Sequence, residues 1–142
     1  TTGVDTLVLS RDNSSTYTGV ITVNYGILKV SNANALGSSL TGNTIVNGGT
    51  ILIDSNNYTI TEPFTISGVG VATNQGAIRN LGRITTLAGS ITLGGTARIV
   101  SSGYNPNSIL DSLIITGGIN TGAAGTVTSG NYILTEHWQF II

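Results

Sequence analysis

The phrase Thr18-Gly19-x-x-x-Val23-Asn24-x-Gly26 returns further along the chain as Thr41-Gly42-x-x-x-Val46-Asn47-x-Gly49. Each copy is followed by a short run of strand-forming residues, Ile27–Val30 after the first and Thr50–Ile53 after the second. A repeat of about 20–50 residues with strand-like content is typical of a solenoid, in which each repeat forms one coil. The doubled phrase therefore predicts stacked coils rather than a closed globular fold.

The 23-residue step can be continued toward both ends of the chain. It reaches Gly3, Gly26, Gly49, Ala72, Gly95 and Gly118. A solenoid must bend at equivalent points on every coil, and glycine adopts the backbone angles that such corners need. Between these positions the apolar residues alternate with Thr, Ser and Asn in the two-residue period of a strand. We predict an all-β parallel β-helix (β-solenoid) of about six coils, forming a single domain over residues 1–142.

The composition supports this class and excludes several functions. Only 8% of the 142 residues are charged, against roughly 25% in ordinary soluble domains. The net charge is −1 and the five basic residues are scattered, so we expect no nucleic-acid partner. The apolar runs are too short for a transmembrane helix, so we expect no membrane span. The absence of cysteine suits a reducing cytosol and equally a protein that crosses an envelope unfolded. Together with the abundance of Thr, Ser and Asn, it leads us to favour an extracellular location.

Both ends of the chain look like strands without a polar cap. Thr6–Leu9 is strand-like at the N-terminus, and the C-terminal segment alternates apolar side chains on one face. The chain begins at Thr1 rather than Met, which indicates a processed product or a segment of something longer. We predict that residues 1–10 and 131–142 are assembly strands. The predicted apolar end contacts are Leu7, Leu9, Tyr132, Leu134, Trp138, Phe140 and Ile142.

Roughly residues 6–100 resemble a known family of repeats, and residues 16–38 are the specific core of the likeness. The residues that carry the likeness are Thr16–Gly19, Thr22–Val30 and the Asn32-Ala33-Asn34-Ala35-Leu36-Gly37-Ser38 segment. They resemble the passenger-associated transport repeat of bacterial autotransporter passenger domains. The resemblance implies a right-handed parallel β-helix displayed outside a bacterial cell, usually as a stalk. It also implies that the repeats carry no catalytic residues.

The residues that could carry chemistry form no recognisable active site. The acids are Asp5, Asp12, Asp54, Glu62, Asp111 and Glu136, and His137 is the only histidine. At a 23-residue step Asp5 would stack on Leu28, and Asp54 between Ser31 and Ala77, so no pair of carboxyl groups comes together as glycoside hydrolysis requires. Asp54-Ser55-Asn56-Asn57 lacks the glycine and closing glutamate of a calcium loop. We expect no enzyme, no metal site and no cofactor.

Function is therefore expected to be mechanical. The favoured interpretation is an extracellular structural β-solenoid that self-associates head to tail into a fibre on the bacterial cell surface. One alternative is the stalk segment of a monomeric autotransporter adhesin, and another is a polysaccharide-active β-helix protein. The five tyrosines and Trp138 could form a surface on which sugars stack, so glycans or host surfaces are possible partners. Four of the tyrosines, however, do not share one phase of the repeat.

Overall fold

The computed structural model describes residues 4–54, 57–72, 75–82, 84–101, 112–121, 127–129 and 135–136, the last two segments as backbone. All regular structure in these residues is β-strand, and every strand pairing is parallel. Parallel pairing between strands that follow one another at intervals along the sequence winds the chain into coils. The predicted all-β parallel β-helix is confirmed.

The coils have three faces. The first face consists of β2 (Val20–Val23), β4 (Asn43–Asn47), β7 (Phe64–Gly68), the first half of β10 (Ile91–Ser101) and β12 (Ile119–Asn120). The second face consists of β1 (Thr6–Leu9), β3 (Ile27–Val30), β5 (Thr50–Ile53), β8 (Ile78–Asn80), the second half of β10 and β13 (Val127–Ser129). The third face consists of β6 (Tyr58–Ile60), β9 (Ile84–Leu87), β11 (Ser112–Ile115) and β14 (Thr135–Glu136).

Four coils carry a strand on all three faces in the part of the chain that the structure describes. They are preceded by β1 and by a coil made of β2 and β3, whose third side is the loop between Val30 and Asn43. The predicted number of six coils is too high. The difference lies mainly at the N-terminal end, where β1 and the coil of β2 and β3 carry no strand on the third face.

The register on the first face shows how the step varies. Val20 aligns with Asn43, as the doubled phrase predicts. The next step, from Thr44 to Phe64, is shorter, and the step after it, from Phe64 to Ile91, is longer. The doubled phrase therefore measures only the coil that joins β2 to β4. The later coils differ in length, and the register between β7 and β10 shifts after Leu93, at the corner between the first and second faces.

The core is a thin aliphatic column enclosed by the three faces. Strand alternation places every second side chain inside, as Ile51 and Ile53 show on β5, where both are fully buried around a half-buried Leu52. The largest fully buried side chains of the described residues include Leu36, Ile51, Ile53, Ile60, Phe64, Ile66, Ile78, Leu87, Ile91 and Leu113. Each face thus contributes inward aliphatic residues, and their burial is the main source of stability.

Glycine lines one corner of the solenoid. The register aligns Gly19, Gly42, Glu62, Gly89 and Gly117 where the third face turns into the first. A β-carbon on Gly89 would overlap the Glu62 carbonyl oxygen, and one on Gly117 would overlap the Gly89 carbonyl oxygen. Neighbouring coils therefore approach so closely at this corner that only glycine fits at these two positions. Glu62 is the exception in the column.

The predicted glycine column is correct only within the doubled phrase. Gly26 and Gly49 do align, at the corner between the first and second faces, and Gly26 has a φ of 78°. The next residue in that column is Gly76 rather than Ala72, because Ile51 aligns with Ile78. Gly76 also has a positive φ, of 75°. The corner persists, but an insertion in the chain displaces the glycine that forms it.

Candidate functional site

The strand edges at the N-terminal end of the solenoid form the candidate functional site. Within the described residues, β1 pairs only with β3, and β2 pairs only with β4. The outer edges of β1 and β2 therefore present backbone N–H and C=O groups with no neighbouring strand among those residues. Such an edge is a template for another strand, which adds by backbone hydrogen bonding.

Apolar side chains continue the core columns onto this end. Leu7 aligns with the buried Leu28, and Leu9 aligns with Val30, so both face the interior of the coil. Leu7 is nevertheless 64% exposed, whereas Leu9 is half-buried and packs against the core. The column of inward side chains thus ends in a partly open apolar surface. Leu7 and Leu9 are two of the predicted assembly contacts, and that role remains a prediction.

Exposed apolar side chains concentrate at the same end. Of the eight large hydrophobic residues exposed in the described part of the chain, five lie on β1, on β2 or beside β2. They are Leu7, Val8, Tyr17, Val20 and Tyr25. Single exposed apolar residues are ordinary, but their concentration at one end of the solenoid favours an interaction site there. We call these five side chains, together with the free edges of β1 and β2, the N-terminal end surface.

The third side of this end is polar and closed by hydrogen bonds. The loop before β2 lies on the turn at residues 32–37: the Asn13 side chain donates to the Ala35 carbonyl at 2.8 Å, and the Asn34 side chain donates to Asp12 at 2.7 Å. Hydrogen bonds from the Ser14 hydroxyl, the Asn34 side chain and the Ser14 N–H lower the pKa of Asp12. Strand addition is therefore favoured on the first and second faces.

The C-terminal end shows the complementary backbone arrangement. Among the described residues, β12 and β13 pair only with β10, and β14 pairs only with β11. Each of these strands is the last on its face and has one edge without a described neighbour. The predicted C-terminal contacts, Tyr132, Leu134, Trp138, Phe140 and Ile142, lie outside the described residues. The predicted assembly strand at 131–142 is described only at β14.

The tyrosines occupy different positions. Tyr25 is 76% exposed at the corner after β2, and Tyr17 is exposed with its hydroxyl donating to the Val20 carbonyl at 2.9 Å. Tyr58 is half-buried and donates to the Ser31 carbonyl. The remaining two, Tyr104 and Tyr132, lie outside the described residues. Tyr17 and Tyr25 therefore flank β2 and belong to the N-terminal end surface.

The described carboxyl groups are spread over the molecule. Asp5 aligns with Gly26 rather than Leu28, since Thr6 aligns with Ile27. Asp54 follows β5, beside Ser31 as predicted, but its other neighbour is Leu81 rather than Ala77. Its carboxylate pairs with Lys29 at 2.6 Å. No three His, Cys, Asp or Glu side chains of the described residues lie close enough together to hold a metal ion.

Glu62 is a residue of interest that the sequence analysis did not single out. It is only 3% exposed, and its Oε1 accepts a hydrogen bond from the Thr44 hydroxyl at 3.1 Å. A signal was present in the run Tyr58-Thr59-Ile60-Thr61-Glu62, because strand alternation places Glu62 on the same side as Tyr58 and the buried Ile60. An acid in an inward position is unusual and marks a special environment.

No protein-family model matches the chain, and neither the curated proteins nor the solved structures contain a match to it. Within the described residues, no helix has the length and apolar character needed to cross a membrane.

Proposed function

We propose that this protein is a non-enzymatic, extracellular structural β-solenoid that assembles end to end into a fibre on the bacterial cell surface. The observation that carries the proposal is the N-terminal end surface, where free strand edges and exposed apolar side chains coincide. An edge of this kind would invite uncontrolled pairing if it had no partner, and natural proteins usually protect such edges. Here Leu7, Val8 and Val20 occupy the edge strands instead of charged residues.

The proposed occupant is the C-terminal coil of a second copy. All strand pairings in the described residues are parallel, so an incoming coil must run in the same direction to continue the ladders. The strands β12, β13 and β14 run in that direction and lie last on their faces. Joining one end to the opposite end of the next copy gives a heterologous contact, and contacts of that type that do not close generate open filaments.

The extracellular part of the proposal rests on composition and on the family resemblance. A chain rich in Thr, Ser and Asn, with 8% charged residues, no cysteine and a resemblance to autotransporter passenger repeats, favours display outside a bacterial cell. The stalk alternative uses the same fold differently: a preceding coil of a longer polypeptide would cover β1 and β2. The two alternatives differ in what this chain does when it is isolated.

The test places a lysine at two exposed apolar positions of the purified chain. Leu7 on β1 is 64% exposed and lies in the inward column beside Leu28, and Val69, after β7, is 47% exposed. We expect the unmodified chain to form concentration-dependent polymers in sedimentation velocity and fibres in electron microscopy. A charge that points inward on an edge strand blocks strand addition, so Leu7→Lys should shift the chain to monomers while Val69→Lys polymerises normally.

Two outcomes would contradict the proposal. Equal polymerisation of Leu7→Lys and Val69→Lys would show that the edge of β1 is not the contact. A single monomeric species of the unmodified chain at every concentration would instead favour the stalk alternative. Because Leu7 and Val69 are exposed, we expect both Leu7→Lys and Val69→Lys to stay folded, which thermal melting checks.

A further inference from the structure

Glu62 lies in an enclosed position between three coils. It follows β6 and precedes Pro63 at the corner where the third face turns into the first. Gly42 precedes it in the register column and Gly89 follows it. A β-carbon on Gly42 would lie 3.2 Å from the Glu62 Oε1, so the absence of a side chain at Gly42 provides room for the carboxyl group. The side chain therefore fills a space that the glycine column leaves open.

The carboxyl group is incompletely satisfied. Its Oε1 accepts the Thr44 hydroxyl hydrogen bond, whereas its Oε2 is buried with no hydrogen-bond partner. An ionised carboxylate needs several donors when it is removed from water, and a single hydroxyl does not replace them. The neutral acid is much less costly to bury. The geometry thus favours the protonated form of Glu62 in the folded chain.

Among the described residues, no charged group faces Glu62 from the elements around it. The residues beside it in the column and along the chain are Gly42, Thr61, Pro63 and Gly89, and its hydrogen-bond partner is Thr44. None of these titrates. Burial raises the pKa of Glu62, and the hydrogen bond from Thr44 opposes that change more weakly. In this part of the chain, no lysine or arginine is placed beside it to stabilise the ionised form.

We propose that Glu62 makes the stacking of these coils pH-dependent, so that protonation closes this corner and ionisation loosens it. The backbone bonds at risk are the two that flank Glu62 across the coils. The Thr44 N–H donates to the Pro63 carbonyl at 3.0 Å, and the Phe64 N–H donates to the Ser90 carbonyl at 2.8 Å. Coils of a solenoid contact only their neighbours, so the loss of stability is expected first at this junction.

The sign of the effect follows from linkage. Below the unfolded-state pKa, about 4.3 for glutamate, both states are protonated and the stability is fully present. Above it the unfolded chain loses its proton while the folded chain keeps it, so the stability falls as the pH rises. The fall ends once the pH passes the raised pKa of the folded state. Glu62 therefore acts in the opposite sense to an acid held in a salt bridge.

The test measures thermal melting of the unmodified chain and of Glu62→Gln between pH 4 and pH 8. Glutamine keeps the shape and cannot ionise. We expect the Tm of the unmodified chain, relative to that of Glu62→Gln, to fall by about 3–6 °C for each pH unit in the affected window. Asp54→Asn is the matched control, because Asp54 is exposed and paired with Lys29. In Asp54→Asn, the Tm should still fall with rising pH.

Hydrogen exchange locates the effect within the fold. The protection factors of the Thr44 and Phe64 amides should fall with rising pH in the unmodified chain and stay constant in Glu62→Gln. A Tm difference between the two chains that does not change with pH would overturn the proposal. If Glu62→Gln fails to fold, carbon-detected NMR titration of the unmodified chain decides: a Glu62 midpoint at or below the ordinary glutamate value would also overturn it.

Discussion

At Gly89, the close approach of two coils determines which side chain the chain can carry. A β-carbon at Gly89 would overlap the Glu62 carbonyl oxygen, and the obstructing atom belongs to the backbone rather than to a flexible side chain. Gly89→Ala must therefore push two coils apart, and we expect it to lower the free energy of unfolding by about 1–3 kcal/mol.

Gly95 provides the control, since it lies in the same chain region with ordinary space around it. The nearest atom to a β-carbon there is the Ser67 Cβ at 3.8 Å. Gly95→Ala should change the free energy of unfolding by less than about 0.5 kcal/mol. Urea unfolding of both variants measures the difference, and equal losses at the two positions would show that close approach does not govern the corner.

Strand β8 ends in a polar residue that has a structural role inside the core. Asn80 is fully buried, and its Oδ1 accepts from the Gly82 N–H at 3.1 Å and from the Thr85 hydroxyl at 2.9 Å. Its Nδ2 donates to the Gly82 carbonyl at 3.2 Å. These bonds fix the turn from the second face to the third, between β8 and β9.

Removing this side chain leaves buried groups without partners. Asn80→Ala should therefore lower the free energy of unfolding by about 1–3 kcal/mol. Asn24→Ala, at an exposed corner, should cost less than about 0.5 kcal/mol. Chemical denaturation compares the two, and a small loss at Asn80 would mean that water replaces its bonds.

At the scale of the strands, the sequence predicts the elements better than their spacing. The step of the doubled phrase joins β2 to β4 and β3 to β5. From β5 to β8 the step is longer, because the connection between β7 and β8 contains more residues. Lengthening a loop costs little conformational entropy, so no strong constraint keeps the corners equal. A period measured over one coil therefore could not be extended to the rest.

The candidate site can be predicted only in part for a related reason. Leu7 and Leu9 are identifiable because alternation within Thr6–Leu9 is visible in the sequence. Val20 and the tyrosines beside it belong to the site because β2 is the terminal strand of the first face. That position follows from the pairing between coils, which the sequence does not show. The burial of Glu62 likewise depends on Gly42 and Gly89 meeting it across coils of unequal length.

At the scale of the whole molecule, as far as the structure describes it, the aliphatic column is the main source of stability, and ion pairing contributes little. The described residues contain one salt bridge, Lys29–Asp54, whose side chains are 31% and 42% exposed. A pair so exposed is worth at most about 1 kcal/mol because water and salt screen it. We therefore expect Lys29→Gln to lower the free energy of unfolding by less than that amount.

Ionic strength should have a correspondingly small effect at neutral pH. Melting curves between 50 mM and 500 mM sodium chloride, at pH 7, should give nearly the same Tm for the unmodified chain and for Lys29→Gln. A strong dependence on salt would show that longer-range electrostatics contribute more than the single described ion pair suggests.

Because the corners vary in length, the axial length of this solenoid does not follow from its number of residues. Each coil advances the axis by the spacing between paired strands, about 4.8 Å, whether the coil is a short one or a long one. Residues added at a corner extend outward and leave the axial rise unchanged. The number of coils therefore sets the axial length of the solenoid. Corner residues can be gained or lost without changing that length.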